Sequence, residues 1–171
     1  MLAKLLGLDE KDLIIINTYM QDPDVSQSKL AQLVKISQPS VYARITKLKQ
    51  KGLLTAQYGI DTQKAGMSLV RVDCKAKQAT KLLDHLKHCS FFAHGFTMSG
   101  IHNVCIFIVA HNLEKVQAII DINLRQNPDV DDIVMSVVVS SAKPFPCQID
   151  LVKEQHEGCQ SQDCTNCHLH K

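Results

Sequence analysis

The sequence has no apolar run long enough to cross a bilayer, no internal repeat and no low-complexity tract. These absences exclude a helical membrane protein and a repeat array. The opening residues Met1–Leu8 hold one lysine and too short an apolar run for a secretory signal, so we expect a cytoplasmic protein that does not bind membranes. No Ser/His/Asp or paired-carboxylate constellation occurs at a plausible catalytic spacing, and the sequence predicts that the protein is not an enzyme.

The chain also lacks a large excess of either charge, because it has 19 Lys and Arg residues and 17 Asp and Glu residues. Net charge alone therefore does not predict a polyanionic partner. The chain nevertheless has 171 residues and 45% hydrophobic side chains, which is enough for one or two domains with a core. Its seven cysteines are odd in number and dispersed, which favours reduced thiols and metal or redox chemistry over a disulfide framework.

Residues 26–54 contain two short amphipathic helical patterns separated by three residues, and the second pattern stops at Gly52. Ser26 and Ser37 precede these patterns, where each hydroxyl can cap a helix N-terminus. The apolar residues just before them, Val25 and Ile36, lie where a hydrophobic staple would form. This arrangement predicts a helix-turn-helix.

Along the second of these helices, Val41, Ile45 and Leu48 recur at helical spacing and predict its buried face. The remaining polar residues are hydrogen-bond formers of the kind that bind bases and phosphates. We predict base or sugar contacts from the residues near the helix start and contacts to phosphates or a guanine edge from the basic residues after them. The first group is Gln38, Ser40 and Tyr42, and the second is Arg44, Lys47 and Lys49.

Local charge supports a DNA partner. Seven Lys or Arg and a single acidic residue, Asp61, lie between Ser26 and Lys64. Such an excess of positive charge attracts phosphates and makes binding dependent on salt. Specific recognition of double-stranded operator DNA would also require a dimer that places two such helices in successive major grooves.

From Met67 the apolar period changes to that of a half-buried strand. The elements then follow the order strand, helix, strand, strand, helix, strand, which is typical of the ferredoxin-like fold. We predict an α+β protein with a winged helix-turn-helix domain at 1–60, whose wing begins at Leu53–Tyr58, a linker at 61–66, a ferredoxin-like domain at 67–143 and a Cys/His-rich tail at 144–171. The predicted helices and strands after the first strand are 78–87, 91–98, 103–110, 113–124 and 133–140.

The strands at 103–110 and 133–140 are apolar on both faces. Two helices cover only one face of a four-stranded sheet, so another body must bury the second face. A second copy of the domain is the simplest candidate, and the sequence predicts a homodimer that associates through the sheet.

Three stretches of the chain form a set of motifs, which are Leu8-Asp9-x-x-Asp12, Ser37-x-x-x-Val41-x-x-Arg44-Ile45-x-x-Leu48-x-x-x-Gly52, and the exit from Tyr58 to Gly66. In these motifs the chain resembles the Lrp/AsnC (leucine-responsive, feast/famine) transcription regulators. The resemblance runs from about Leu8 to Lys143, and its second half is similar to the family's effector-binding dimerisation domain. It implies operator binding by dimers, often assembled into tetramers or octamers, with amino acids or related small molecules bound between dimers.

The family's turn before its third strand commonly reads Gly-x-x-Asp, and this implies an effector site at Gly100, His102 and Asn103. Asn103 stands where the family has the acid. A carboxylate there would suit an α-amino group, so its loss disfavours an ordinary amino-acid effector. Alternatively, Gly100 only permits a tight turn.

The tail holds three cysteines, Cys159, Cys164 and Cys167, together with His168 and His170. Thiolates and imidazoles at this spacing predict a site for zinc or another thiolate-bound metal. The same spacing begins a plant-type iron–sulfur ligand run, for which Cys147 is a candidate fourth thiolate. Residues 164–168 also match the C-x-x-C-H haem-attachment signature. A thiol redox switch and a disordered tail without a ligand remain open.

Two further classes of protein stay open. Sirohaem decarboxylases are built on a similar two-domain chain, which leaves a tetrapyrrole-processing enzyme as one alternative. A small-molecule-binding co-regulator without DNA binding is the other. The basic residues Arg44 and Lys47 on the second helix favour a DNA-binding regulator over both.

Overall fold

A computed structural model describes residues 2–151 of the chain. The chain divides between Gln57 and Tyr58 into two compact units, each with its own core. Within the described residues, none of the helices has the length and apolarity needed to cross a membrane. The cysteines and histidines predicted as metal ligands, Cys159, Cys164, Cys167, His168 and His170, lie outside the described residues.

The N-terminal unit contains the helix-turn-helix. The predicted caps form, since the backbone N–H of Lys29 donates to Ser26 Oγ at 3.2 Å and that of Ser40 donates to Ser37 Oγ at 3.4 Å. Between the two helices, Lys35 adopts the left-handed conformation with φ 53°, which ends one helix and redirects the chain into the next. The helices are α1 (Leu2–Leu5), α2 (Glu10–Gln21), α3 (Gln27–Val34) and α4 (Gln38–Gln50).

The elements of the C-terminal unit are β1 (Ile60–Asp61), β2 (Ser68–Ala76), α5 (Ala79–Leu86), β3 (Phe92–Thr97), β4 (Val104–Ala110), α6 (Leu113–Ile120), a π-helical continuation (Asp121–Arg125), β5 (Val130–Val137) and β6 (Pro146–Cys147). The unit is built around a four-stranded antiparallel sheet with strand order β3-β4-β2-β5. This order, with helices after β2 and β4, confirms the predicted ferredoxin-like topology. A two-stranded sheet pairs β1 with β6.

The last strand of the main sheet differs from its prediction at 133–140. It begins three residues earlier, because Val130 pairs with Ala76 and Val137 pairs with Val70. A register shift near Asp132, whose φ is 53°, separates the acidic start of the strand from its apolar part. The valine pattern located the apolar part of the strand but carried it to residue 140, three residues beyond its end at Val137, and it missed the acidic start.

The predicted wing and linker also differ from the structure. Residues 53–58 contain no strand; instead, the N–H groups of Leu53 and Leu54 donate to Leu48 O, which keeps both residues on the helix-turn-helix core. The predicted linker 61–66 is an ordered turn that begins in β1, and the tail's first residues supply β6. Residues from the predicted linker and the predicted tail therefore form one small sheet.

The main sheet has two differently covered faces. The helices α5 and α6 bury one face, where Val72, Ile106 and Val116 are inaccessible to solvent. On the other face, Leu69 and Val109 are covered by the chain's own C-terminal segment, through Val138, Cys147 and Ile149. Part of this second face stays open, and Phe96 and Val134 are 45% and 44% exposed there.

Candidate nucleic-acid interface

The candidate interface is the outer surface of α4. Its N-terminus is set by the Ser37 cap and by Pro39 in the first turn, where a missing N–H costs nothing. The predicted buried face is confirmed, because Val41, Ile45 and Leu48 are all buried in the core of the N-terminal unit. This anchoring leaves the polar side of the helix in solvent.

The six predicted DNA contacts do not form one row on α4. Successive residues of a helix are about 100° apart, which places the predicted residues on two flanks of the buried row. Gln38, Tyr42 and Lys49 lie on one flank, and Ser40, Arg44 and Lys47 lie on the other.

Between these flanks, Ala43 and Gln50 face directly away from the core, and both are exposed. The sequence analysis omitted both because it named hydrogen-bonding residues near the helix start and the basic residues after them. A short side chain such as Ala43 lets a helix approach base edges closely, and its methyl group can contact a thymine methyl group. A helical wheel of α4, drawn from the sequence alone, would have identified both residues.

Arg44 differs from the other predicted contacts because it is engaged within its own unit. Its Nη1 donates to Asp9 Oδ2 at 2.6 Å and to Asp12 Oδ1 at 2.7 Å. These two carboxylates also form the capping box of α2, in which each accepts a hydrogen bond from the other's backbone N–H. We call Asp9, Asp12 and Arg44 the arginine clamp. The clamp ties α4 to the first turn of α2.

Electrostatics favour the clamp's charged form. The backbone N–H of Asp12, and after it the Arg44 guanidinium, lower the pKa of Asp9 below its usual value. The hydrogen bonds to Asp12 and Asp9 raise the pKa of Arg44 further above its usual range. Both carboxylates also lie at a helix N-terminus, where negative charge is favourable. The guanidinium is thus a structural cation in this arrangement, although its side chain remains 32% exposed.

Among the described residues, the lysines of α4 have no such partner. Lys47 and Lys49 are exposed, as is Lys51 at the helix C-cap, and within residues 2–151 no ion pair joins any of them to a carboxylate. Tyr42 is 60% exposed on the same helix. The positive charge of this surface is therefore carried by ammonium groups that are available to phosphates.

The predicted effector turn lies in the C-terminal unit. Asn103 donates from Nδ2 to Ala76 O and accepts from Ala76 N–H at Oδ1, both at 2.8 Å. His102 Nε2 lies 2.9 Å from Asp132 Oδ2. Gly100 has φ 140°, a conformation that glycine tolerates, and it is exposed. The Asn103 amide therefore holds the end of β2 to the start of β4, and its primary contacts are structural.

Comparison with known proteins shows that residues 8–55 match a family model described as winged helix-turn-helix DNA-binding. The chain is 25% identical over 140 residues to the HTH-type transcriptional regulator LrpA of Pyrococcus abyssi, an alignment that covers 80% of this chain and 99% of that protein.

Solved structures share the fold. E. coli AsnC superimposes with a TM-score of 0.70 at 15% identity, covering 80% of this chain and 95% of AsnC. B. subtilis LrpC superimposes with a TM-score of 0.67 at 24% identity, covering 81% and 99%. The predicted fold class, a winged helix-turn-helix followed by a ferredoxin-like domain, is confirmed by these matches.

The arginine clamp generates a stability prediction. Replacement of Arg44 by Ala leaves the Asp12 carboxylate without its cation, and we expect the free energy of unfolding of the N-terminal unit to fall by about 1–2 kcal/mol. In a double-mutant cycle with Asp12→Asn, the two substitutions should be coupled by about 1 kcal/mol. Hydrogen exchange of the α2 and α4 amides measures both quantities.

Lys47→Ala is the matched control, because Lys47 is on the same flank but outside the clamp, and we expect a change below about 0.5 kcal/mol. Equal stability of the Arg44→Ala and Lys47→Ala variants would show that the clamp does not stabilise this unit.

Proposed function

We propose that this protein is a DNA-binding transcription regulator of the Lrp/AsnC type. The observation that carries the proposal is the exposed, lysine-bearing surface of α4 on a helix-turn-helix core. The likeness to transcriptional regulators in sequence and fold, along about 80% of the chain, supports it. Those relatives are regulators and not enzymes, which disfavours the sirohaem decarboxylase-like alternative. The exposed lysines disfavour a co-regulator that has lost DNA binding.

The geometry of α4 suggests how the helix would bind DNA. A recognition helix enters the major groove with its N-terminal residues towards base edges. Gln38, Ser40, Tyr42 and the missed Ala43 occupy this end of α4, whereas Lys47 and Lys49 lie further along, where phosphate contacts position the helix. Because the clamp ties α4 to the first turn of α2, we expect Arg44 to act on binding through the orientation of α4.

The salt dependence of binding tests this assignment. For Lys47→Ala, we expect weaker binding to all sequences and a slope of log affinity against log salt that is shallower by about 1, because one phosphate contact is lost. Tyr42→Ala should instead relax sequence preference near its contact. Fluorescence anisotropy with operators selected from random DNA provides both measurements.

Lys81→Ala serves as the control, since Lys81 is an exposed lysine on α5 of the C-terminal unit. If Lys47→Ala and Lys81→Ala leave affinity and salt slope equally unchanged, α4 is not the surface that binds DNA.

The open part of the sheet's second face supports a homodimer. His94 and Phe96 stack with ring centroids 4.5 Å apart, and Phe107 meets Phe96 edge-on at 6.3 Å. Val134 continues this apolar surface beyond the Arg71–Asp73 ion pair on β2. Apolar side chains exposed together at a sheet face are typical of association surfaces. A second copy would bury them and place two α4 helices on one DNA.

Tetramers, octamers and a small-molecule effector remain predictions from the family resemblance.

The molecular mass of the protein in solution tests whether it forms this dimer. Val134→Glu places a carboxylate in the proposed interface without a matching cation, and we expect the dimer to dissociate at least about 10-fold more readily. Analytical ultracentrifugation measures the change. Leu113→Glu is the control, because Leu113 is equally exposed at the start of α6. A wild-type monomer, or a Val134→Glu variant that stays as dimeric as the control, would refute association through this face.

The tail adds a metal hypothesis. We propose that Cys159, Cys164 and Cys167, with His168, His170 or another residue as the fourth ligand, bind zinc or another thiolate-bound metal that modulates the regulator. Three thiolates at these spacings suit a tetrahedral ion. A polar segment of this kind also gains little by folding unless a ligand orders it.

Metal content tests this hypothesis. Anaerobically purified protein should contain about one zinc per chain, and simultaneous replacement of Cys159, Cys164 and Cys167 by Ser should remove it. A cluster or haem absorption band that the triple replacement abolishes would identify a different cofactor. Metal-free wild-type protein, or zinc retained by the triple variant, would refute a metal site in the tail.

A further inference from the structure

The open part of the sheet's second face contains an ion pair among its apolar side chains. Arg71 Nε lies 2.8 Å from Asp73 Oδ2, and Arg71 Nη2 donates to Asp73 Oδ1 at 3.0 Å. Both residues are on β2, which lies between β4 and β5 in the sheet. A contact through two atoms on each side fixes the geometry of the pair. The two charges therefore point in a defined direction along the strand.

The strand register places this pair in the middle of the open face. Arg71 is opposite Phe107 on β4, and Asp73 is opposite Val134 on β5. Directly opposed residues of neighbouring strands lie on the same face of a sheet, so the pair has an aromatic side chain on one side and an aliphatic one on the other. A body that buries both Phe96 on β3 and Val134 on β5 must therefore also cover the pair.

The two charges of the pair differ in exposure. The side chain of Asp73 is 15% exposed, whereas that of Arg71 is 51% exposed. The contact uses Nε and Nη2 of the guanidinium, and within residues 2–151 its Nη1 forms no ion pair. The hydrogen bond to Asp73 raises the pKa of Arg71 above its usual value, so the guanidinium stays charged. In a single copy, solvent is what hydrates the outer side of Arg71.

An entirely apolar cover would be unfavourable here. A charge that leaves water without gaining new hydrogen-bond partners raises the free energy of the complex. This penalty becomes smaller if the cover brings a carboxylate to Arg71 and a cation to Asp73. A second copy of the chain carries both groups at the same place on its own sheet. If the two pairs run in opposite directions, unlike charges meet, and if they run in the same direction, like charges meet.

We propose that Arg71 and Asp73 select the partner of this chain, because the pairs of two copies meet in opposite directions and form one ionic network. This inference rests on the proposed homodimer. A two-fold axis that passes between the pairs, across the direction of β2, reverses the strand and produces this arrangement. The partner that fits is a second copy of this chain. A chain of the same fold with apolar or exchanged charges at these positions would leave Arg71 unpaired or opposed by a like charge.

Exchange of the two charges tests this selection without changing the composition of the chain. The exchange variant combines Arg71→Asp with Asp73→Arg. Two variant chains still present unlike charges to each other, so we expect them to form homodimers. A variant chain and a wild-type chain would present like charges to each other.

Co-expression of the two full-length chains, one with a short affinity tag, allows mixed dimers to be counted by native mass spectrometry. Random pairing would make about half of all dimers mixed when both chains are equally abundant. For the exchange variant with wild type, we expect a mixed share that is smaller by at least about 10-fold.

An exchange of Asp84 and Lys87 is the matched control. These residues form an ion pair at the end of α5, with Nζ and Oδ1 2.6 Å apart, and both are exposed. The helix α5 covers the opposite face of the sheet. Chains that combine Asp84→Lys with Lys87→Asp should therefore pair at random with wild-type chains.

A gentler pair of variants keeps the test decisive if the exchange variant fails to fold. Asp73→Asn retains only the cation of the pair, and Arg71→Gln retains only the carboxylate. Homodimers of either variant would bring like charges together without compensation, whereas a mixed dimer would join one guanidinium to one carboxylate. Co-expressed, these two variants should form at least about 3-fold more mixed dimers than homodimers.

The outcomes separate this inference from the homodimer itself. Random pairing in both experiments, in a protein whose Val134→Glu variant dissociates, would overturn the role of Arg71 and Asp73 and keep the dimer. A preference of the exchange variant for wild-type chains would also overturn it, because the wild-type pairs would then run in the same direction. A wild-type chain that is monomeric in solution would overturn both proposals.

Discussion

The C-terminal unit depends on one geometric constraint, which is that a four-stranded sheet has two faces and its two helices can cover only one of them. The helices α5 and α6 bury the face that contains Val72 and Ile106. The second face is just as apolar at Leu69 and Val109, and the chain returns after β5 to cover these residues with Val138 and its neighbours.

The small sheet of β1 and β6 follows from this return. It holds the returning segment in place through the pairing of Ile60 with Cys147. Gly59 approaches the Cys147 backbone so closely that a Cβ atom there would lie 2.9 Å from the Cys147 carbonyl oxygen. The cover of the second face and the burial of the Cys147 thiol therefore have the same cause. The remaining open strip around Phe96 and Val134 is what a second copy would have to bury.

In the N-terminal unit, the corresponding constraint is that one helix must be anchored on one side and free on the other. Val41, Ile45 and Leu48 anchor α4 by burial, which fixes its distance from the core. The arginine clamp adds an ionic contact at the flank, which is directional and thus restrains rotation. Arg44 therefore ties the helix to its own unit, whereas Lys47 and Lys49 face solvent.

The sequence by itself determined the elements and their pattern of burial. Spacings of three and four residues identified the buried face of α4, serine caps located two helix starts, and alternating apolar residues located the strands. These signals depend only on residues close together in the sequence. The order of the elements was then enough to predict the ferredoxin-like sheet. The acidic start of β5 was missed because pairing with β2, and not its own apolar pattern, makes it a strand.

Tertiary structure alone decided which polar residues have partners. Arg44 and Lys47 look alike in sequence, but only Arg44 meets two carboxylates, and these lie 35 and 32 residues away along the chain. Likewise, the amide of Asn103 is engaged with Ala76, and only the fold shows that Cys147 is buried. Hydrophobic patterning acts through the period of one element, whereas ion pairing and thiol accessibility depend on atoms that distant segments bring within a few ångströms.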